Sequence, residues 1–339
     1  MSPLPFRRTA ATAVTAVALL LAGCTGQPDQ EDDDAAPPAA ADTVTLVTHD
    51  SFTLGDDVLE RFEQESGLTV EVKTVGDAGA LADQLVPPAE TPPGDVVLGV
   101  DNTFMSRVVD AGATEVNYLW QVGEADVCVN ADKAWFTEQH LPVPRTLDDL
   151  IDPPYQGLLV VPDPASSSVG LAFLLAAVDE YGDTGVGDYW TGLRANDVEI
   201  AGSWDEAYGS GFTGAGGGGD RPLVVSYSTS PADTVEDDGE PVTTALPETC
   251  FRHEEYAGLL AGAPNREGGK ELLWYLTSDA VQRDLPASMS LYPADEDARL
   301  PAAWAEHAPR VEDPHELDPE DIAENREAWI EAWAATTSE

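Results

Sequence analysis

Leu46-Val47-Thr48-His49-Asp50-Ser51-Phe52 decides the fold. The apolar and β-branched start reads as a buried strand, and the strand ends in a cluster of polar and aromatic tips. Leu54, Val58, Leu59 and Phe62 then share one helical face, and Gly67 is a natural stop. In an open α/β sheet, ligands sit where strands end and helices begin. The same grammar recurs at residues 96–101, 160–168 and 223–230. Four such junctions aimed at one cleft make a ligand site.

Outward from that stretch, strand and helix patterns alternate, as in an α/β protein. Residues 69–75 and 95–100 read as further strands. Ala78, Leu81, Ala82 and Leu85 mark a second helix, and Phe104, Val108 and Ala111 a third. A second series begins near Cys128, with strands at 158–161, 198–201 and 223–226, a Leu- and Ala-rich helix over 169–181 and a short helix over 205–211. Helical patterns over 271–276 and 280–285 return the chain to its first half. Ile322, Trp329, Ile330 and Trp333 line one face of a final helix, whose first turn suits Pro319-Glu320. These tryptophans read as core.

The chain has 339 residues, 16 of them Lys or Arg and 63 Asp or Glu, a net charge of −47. Phosphate backbones require clustered Lys and Arg, so nucleic acid is excluded as a partner. Dispersed acids keep a surface hydrated and favour a cationic ligand. Five scattered His and three Cys offer no metal-ligand spacing, so no metal is expected.

Arg7 and Arg8 precede an apolar stretch over 10–21, too short to span a membrane well. Leu21-Ala22-Gly23-Cys24 resembles a bacterial lipobox. That resemblance implies a signal peptide over 1–23, cleavage before Cys24 and lipidation of Cys24, palmitate included, anchoring the protein to the outer face of the cell membrane. Stable anchoring takes two or more acyl chains. Residues 24–42 are Pro-, Ala-, Gln- and acid-rich and read as a disordered tether. Outside the cytoplasm Cys128 and Cys250 can form a disulfide; two buried free thiols are the alternative.

The expected architecture is therefore a two-lobed α/β fold with a hinge and a ligand in the cleft. The first lobe takes 43–125 and 252–339, the second 126–251.

A set of motifs carries a sharper resemblance. They are Thr48-His49-Asp50-Ser51-Phe52, Gly76-Asp77-Ala78-Gly79, the run from Asp95 to Asn102, Asp163-Pro164 with Ser166-Ser167-Ser168, Trp204-Asp205-Glu206-Ala207-Tyr208-Gly209, the run from Ser226 to Ala232, Tyr292-Pro293 and Arg326-Glu327-Ala328-Trp329. Their order and spacing resemble the thiamine-binding substrate-binding proteins of bacterial ABC importers, over most of 43–333. The resemblance implies a type II periplasmic-binding-protein fold, a monomer without catalysis or cofactor, and delivery of thiamine, thiamine monophosphate or thiamine diphosphate to a permease and its ATPase.

Tyr227 matches a family position that packs on the ligand ring, where an aromatic face near a cation gives about 0.5–2 kcal/mol. Trp204 matches a second binding position. His49 stands where relatives often carry tyrosine. Asp50 either pairs with a cationic ligand or caps the next helix. Ser51 follows at the same strand tip, and Ser228 belongs to the polar strand exit beyond Tyr227. Asp77 and Ala78 match a turn near the phosphate arm, and Ser166 and Ser167 precede a helix whose free N–H groups suit an anion. Asp101 reads as a turn and cap residue. Relatives often place a stacking aromatic where Ser290 stands, so Tyr292 or another residue has to take its place. A family tyrosine is also absent around Gln121-Val122-Gly123. The pocket has no obvious Lys or Arg among these motif residues, which suits thiamine, or a monophosphate held by neutral donors, better than the diphosphate.

Other readings are a solute-binding protein for a polyamine, which the acids and aromatics allow, or for ferric ion, which the absence of a Tyr-Tyr pair disfavours. An extracytoplasmic serine hydrolase is more remote, because Ser166, Ser167 and Ser168 lack a Gly-x-Ser-x-Gly elbow. A passive adhesin or sensor would leave the cleft a purely structural feature.

Overall fold

The computed structural model describes residues 42–337, apart from 87–90, 215, 217, 237, 238 and 296. The leader, Cys24 and nearly all of the tether lie outside the described residues.

The opening stretch folds as its pattern requires. Strand β1 (Thr43–Thr48) is buried along most of its length and runs parallel to β2 (Thr69–Thr74) and β3 (Val96–Asp101). Helices α1 (Asp56–Ser66), α2 (Ala78–Leu85) and α3 (Met105–Asp110) connect and follow these strands. Gly67 ends α1 in a left-handed conformation, φ 75°, and its N–H donates to the Glu63 carbonyl.

The chain then enters β4, which runs from Thr114 to Asp132. The sequence pattern placed a new series only at Cys128, because the first half of β4 mixes polar and aromatic residues. After α4 (Lys133–Gln139), β5 (Leu159–Pro162) leads into the long helix α5 (Ser168–Ala195). The expected helix end near 181 corresponds to a break at Gly182, φ 69°, after which the helix resumes. Strands β6 (Glu199–Ala201) and β7 (Leu223–Tyr227) lie parallel to β5. Between them, residues expected as one short helix form a helical turn at Trp204–Glu206 and a π-helical turn at Ala207–Gly211. Strand β8 (Thr243–Ala245) pairs with β4, β9 (Phe251–Leu260) pairs with both β3 and β4, and β10 (Tyr292–Pro293) pairs with β4.

Among the described residues these strands make one ten-stranded mixed sheet, with the main path β2-β1-β3-β9-β4-β7-β5-β6. Two parallel sets are thus joined by the antiparallel pair β9–β4. On one face, α5 buries Leu171, Phe173, Leu174 and Leu175 against the sheet, and Ile322, Trp329 and Trp333 of the final helix (Pro319–Thr337) close over them. Trp190 and Trp333 meet edge to face at 6.0 Å. The tryptophans are core, as their helical spacing predicts. On the opposite face, Val44, Leu46, Val58 and Phe62 pack with Leu272, Leu273 and Leu276.

Cys128, on β4, and Cys250, just before β9, are joined in a disulfide with Cα atoms 4.1 Å apart. The bond staples the crossing strands and closes a loop spanning 122 residues of sequence. A loop of that length restricts the unfolded chain by about 5 kcal/mol in the chain-entropy view. Replacing both cysteines by serine is expected to lower stability by about 2–5 kcal/mol. Urea unfolding of oxidised wild type against the double variant checks this, and reductant should destabilise only the wild type.

Candidate functional site

The carboxyl ends of β1 and β3 face those of β5, β6 and β7 across the β9–β4 pair, and a narrow cavity of about 20 Å³ lies between them. From the first parallel set the lining residues are His49, Ser51, Asp77, Ala78, Gly99 and Asp101. The second set gives Ser168, Val169, Trp204 and Tyr227, and β9 adds His253 and Glu255. A larger cavity around Glu124, Arg252 and Arg310 lies away from these strand ends. Its arginines are already paired, Arg252 with Asp126 at 2.8 Å and Arg310 with Glu124.

His49 follows β1 directly, and its Nε2 lies 3.2 Å from Glu255 Oε1 on β9. The ring rests where β3 bulges at Gly99, φ 101°. A Cβ on Gly99 would sit 2.2 Å from His49 Cδ2, so glycine at 99 is what makes room for the imidazole. Burial favours neutral imidazole, but the hydrogen bond and charge of Glu255, with Asp77 and Asp50, outweigh it and raise the His49 pKa above 6.5.

Asp77 precedes α2 and caps it. Its Oδ1 accepts the Ala78 N–H at 2.7 Å, and its Oδ2 accepts the Trp204 N–H from the opposite side at 3.3 Å. Burial pushes its pKa above the usual 3.8; the Ala78 N–H, the Ser167 hydroxyl, the Trp204 N–H and His49 pull it back in part. Asp101 does serve its turn, with Oδ1 accepting from the Thr103 N–H at 2.8 Å and the Phe104 N–H at 3.3 Å. Its Oδ2 is buried and has no hydrogen-bond partner.

The far wall is aromatic. Trp204 stacks on Tyr208, centroids 5.3 Å apart, and donates its indole N–H to Ser226 at 3.0 Å. Tyr227 lies 5.7 Å from Trp204 and 5.8 Å from His253. Burial, then the facing carboxylates Glu255, Asp77, Asp101 and Asp205, push the Tyr227 pKa well above 10, so it stays a neutral phenol. Further polar contacts join the two sides. Ser51 Oγ donates to Asp205 at 3.4 Å, and the Gly79 N–H donates to the Ser166 carbonyl at 3.0 Å. A Cβ on Gly79 would fall 2.3 Å from that carbonyl.

The cavity thus gathers His49, Ser51, Asp77, Ala78, Trp204 and Tyr227 from the residues the sequence singles out. The others stand elsewhere. Asp50 is exposed beside His49, and its side chain does not cap α1, whose cap is Gly55. Ser166 holds Gly79 through its backbone. Ser167 is buried at the start of α5 without a cap hydrogen bond. Ser228 turns its hydroxyl to the Asp126 N–H, and Tyr292 packs edge-on against Trp304 under the Arg310 guanidinium. Ser290, φ 53°, bonds Asp233. The ring beside Tyr227 comes instead from His253, which with Glu255 went unnoticed in sequence. Their only local signal is the alternating burial pattern of β9. Among the described residues no group of three His, Cys, Asp or Glu is placed to hold a metal ion.

A sheet of this topology with a cavity at the crossing strands is a solute-binding fold. The chain belongs to the bacterial extracellular solute-binding proteins, whose family model matches residues 113–325. Among its relatives, it is 30% identical to the thiamine-binding periplasmic protein of Brucella suis biovar 1 (strain 1330), over 89% of this chain and 95% of that one. It is 27% identical to the protein of the same description from Salmonella typhimurium (strain LT2), over 90% and 96%. A solved structure described as a periplasmic thiamin binding protein superposes with a TM-score of 0.77 at 23% identity, covering 88% of this chain and 96% of that one.

The His49–Glu255 pair has a pH signature. The folded pKa lies above the unfolded value of 6.5, so the pair's stabilisation is fully present below pH 6.5 and is lost as pH rises through the folded value. An NMR titration should place the His49 midpoint above 6.5 and lower in Glu255→Gln, and the stability difference between the two proteins should shrink as pH rises.

Proposed function

We propose that this protein captures thiamine outside the cytoplasm and hands it to an ABC importer. The observation that carries the reading is the pairing of an aromatic wall, Trp204 and Tyr227, with a carboxylate wall, Asp77, Asp101 and Glu255, in one cavity. Thiamine has a flat aminopyrimidine, a cationic thiazolium and a hydroxyethyl arm. Rings suit the first, π faces and carboxylates the second, and Ser51, Ser168 and the turn at Asp77–Ala78 the third. The relatives named above support the same ligand, and they favour it over a polyamine.

The halves on either side of the β9–β4 pair, 43–125 with 252–339 and 126–251, move as two lobes in this reading. The protein acts as a monomer that binds and releases without catalysis or cofactor. His49 is engaged by Glu255, and among the described residues no serine hydroxyl forms a hydrogen bond with it. The leader and Cys24 add a lipid anchor that keeps the protein at the outer face of the membrane, within reach of its permease.

Thiamine should quench the intrinsic fluorescence and bind at micromolar or tighter affinity. Trp204→Ala and Tyr227→Ala should each weaken binding by about 0.5–2 kcal/mol, roughly 2- to 30-fold. Calorimetry measures both. No heat with wild type would end the reading, whereas spermidine or Fe(III) binding in thiamine's place would reassign the ligand.

A further inference from the structure

We infer that an aromatic patch on the first half of the sheet, Trp274 with Val116, Tyr118 and Trp120, is a membrane-contact site that seats the folded body on the headgroup layer of the bilayer. The inference rests on the lipid-anchor reading of Cys24 and goes beyond it, since an anchor alone leaves the orientation of the body open.

Tryptophan is highly buried on average, yet Trp274 is 65% exposed. It stands on the helix Arg266–Leu276, whose Leu272, Leu273 and Leu276 face the core. Its ring meets Trp120 edge to face at 4.9 Å, and Trp120 lies 6.1 Å from Tyr118. Both partners are half-buried on β4. Val116, where β4 bulges away from β9, is 66% exposed. Arg266 lies over the Tyr118 ring, 5.5 Å from its centre. None of these side chains lines the cavity.

The place of the patch points to lipid. The Asp42 carbonyl accepts the Thr69 N–H at 2.8 Å, and the Thr43 carbonyl, at the start of β1, accepts from the Asn265 side chain at 2.9 Å. Asn265 caps the helix that carries Trp274. Trp274 therefore stands about 14 Å along that helix from the start of β1. Fully extended, the stretch from Cys24 to Asp42 spans at most about 60 Å. An acylated Cys24 thus keeps the patch within reach of the bilayer.

Size points the same way. Four side chains of this kind offer on the order of a few hundred Å², short of the roughly 800 Å² per partner that a stable protein interface takes. A tether holds the patch at high local concentration, so weak partitioning suffices. The chemistry also fits, because Trp and Tyr settle at the headgroup level of a membrane. A chain of net charge −47 is repelled by anionic lipid. Here the charges are mixed: Arg266 pairs with Glu115 at 2.7 Å and Lys270 with Glu267 at 2.6 Å, with Glu271 the next acid along the helix. Insertion of rings, not charge attraction, drives the contact.

The test uses the mature lipoprotein, acylated at Cys24, reconstituted in phosphatidylcholine vesicles whose acyl chains are either plain or brominated near the headgroup. Bromine quenches indoles that reach the lipid. Tryptophan emission should be lower on the brominated vesicles, and Trp274→Ser should abolish that difference while keeping the wild-type midpoint in urea unfolding. Val116→Ser should reduce the difference, and it decides the matter should Trp274→Ser not fold. Equal emission on the two vesicles, or a difference that both variants retain, overturns the contact site and leaves the anchor standing. A dimer in sedimentation that Trp274→Ser dissociates reassigns the patch to a second copy and overturns the site as well. A Cys24 without acyl chains, read by mass spectrometry of the protein from its native membrane, overturns both readings.

Discussion

The hydrogen bond between His49 and Glu255 is the contact on which the site depends. It ties the end of β1 to β9, residues 206 positions apart in sequence, across the glycine bulge of β3. Without Gly99 the imidazole has no seat, and without Glu255 it loses its hydrogen bond and its largest charge partner. Asp77, on which His49 also acts, and Asp101 line the cavity opposite a wall of rings. The cation preference proposed for the site rests on this arrangement rather than on the overall charge of −47, most of which is a hydrated surface.

A second constraint is how the two parallel strand sets meet. Trp204 N–H to Asp77, Ser51 to Asp205 and Gly79 N–H to Ser166 all cross the same gap. Each such bond contributes about 0.5–1.5 kcal/mol net. A handful of them amounts to a few kcal/mol, enough to hold the gap narrow yet small enough for a ligand to shift. Gly79 is needed for the closest approach, since any side chain there would strike the Ser166 carbonyl. The β9–β4 pair and its disulfide keep the crossing strands in register.

Much of this was legible in the chain itself. The strand–turn–helix grammar at residues 46–62 gave β1 and α1, and the αL stop at Gly67 appears where glycine predicts it. Residues at the ends of parallel strands, such as His49 and Tyr227, were readable because a strand end in such a sheet faces the cleft. The hidden part is the contribution of the antiparallel crossing. His253 and Glu255 lie inside β9, and only the register that sets Glu255 against Gly123 and Asp101 reveals where they point. Tyr292 shows the converse. Its aromatic character invited a place in the site, but pairing with Glu124 on β4 and contact with Trp304 put it in a separate cluster. Ser228 likewise stands beside Tyr227 in sequence, yet the alternation of the chain turns its hydroxyl to Asp126. Asp101 was readable as a turn residue, whereas the oxygen it leaves unpartnered emerges only from the packing.

A crystal structure grown with excess thiamine tests the central claim most directly. The account predicts the vitamin in the gap, its rings against Trp204 and Tyr227 and its positive thiazolium facing the carboxylates of Asp101 and Asp77. A gap that stays empty, or a ligand whose cationic ring points away from those carboxylates, contradicts it.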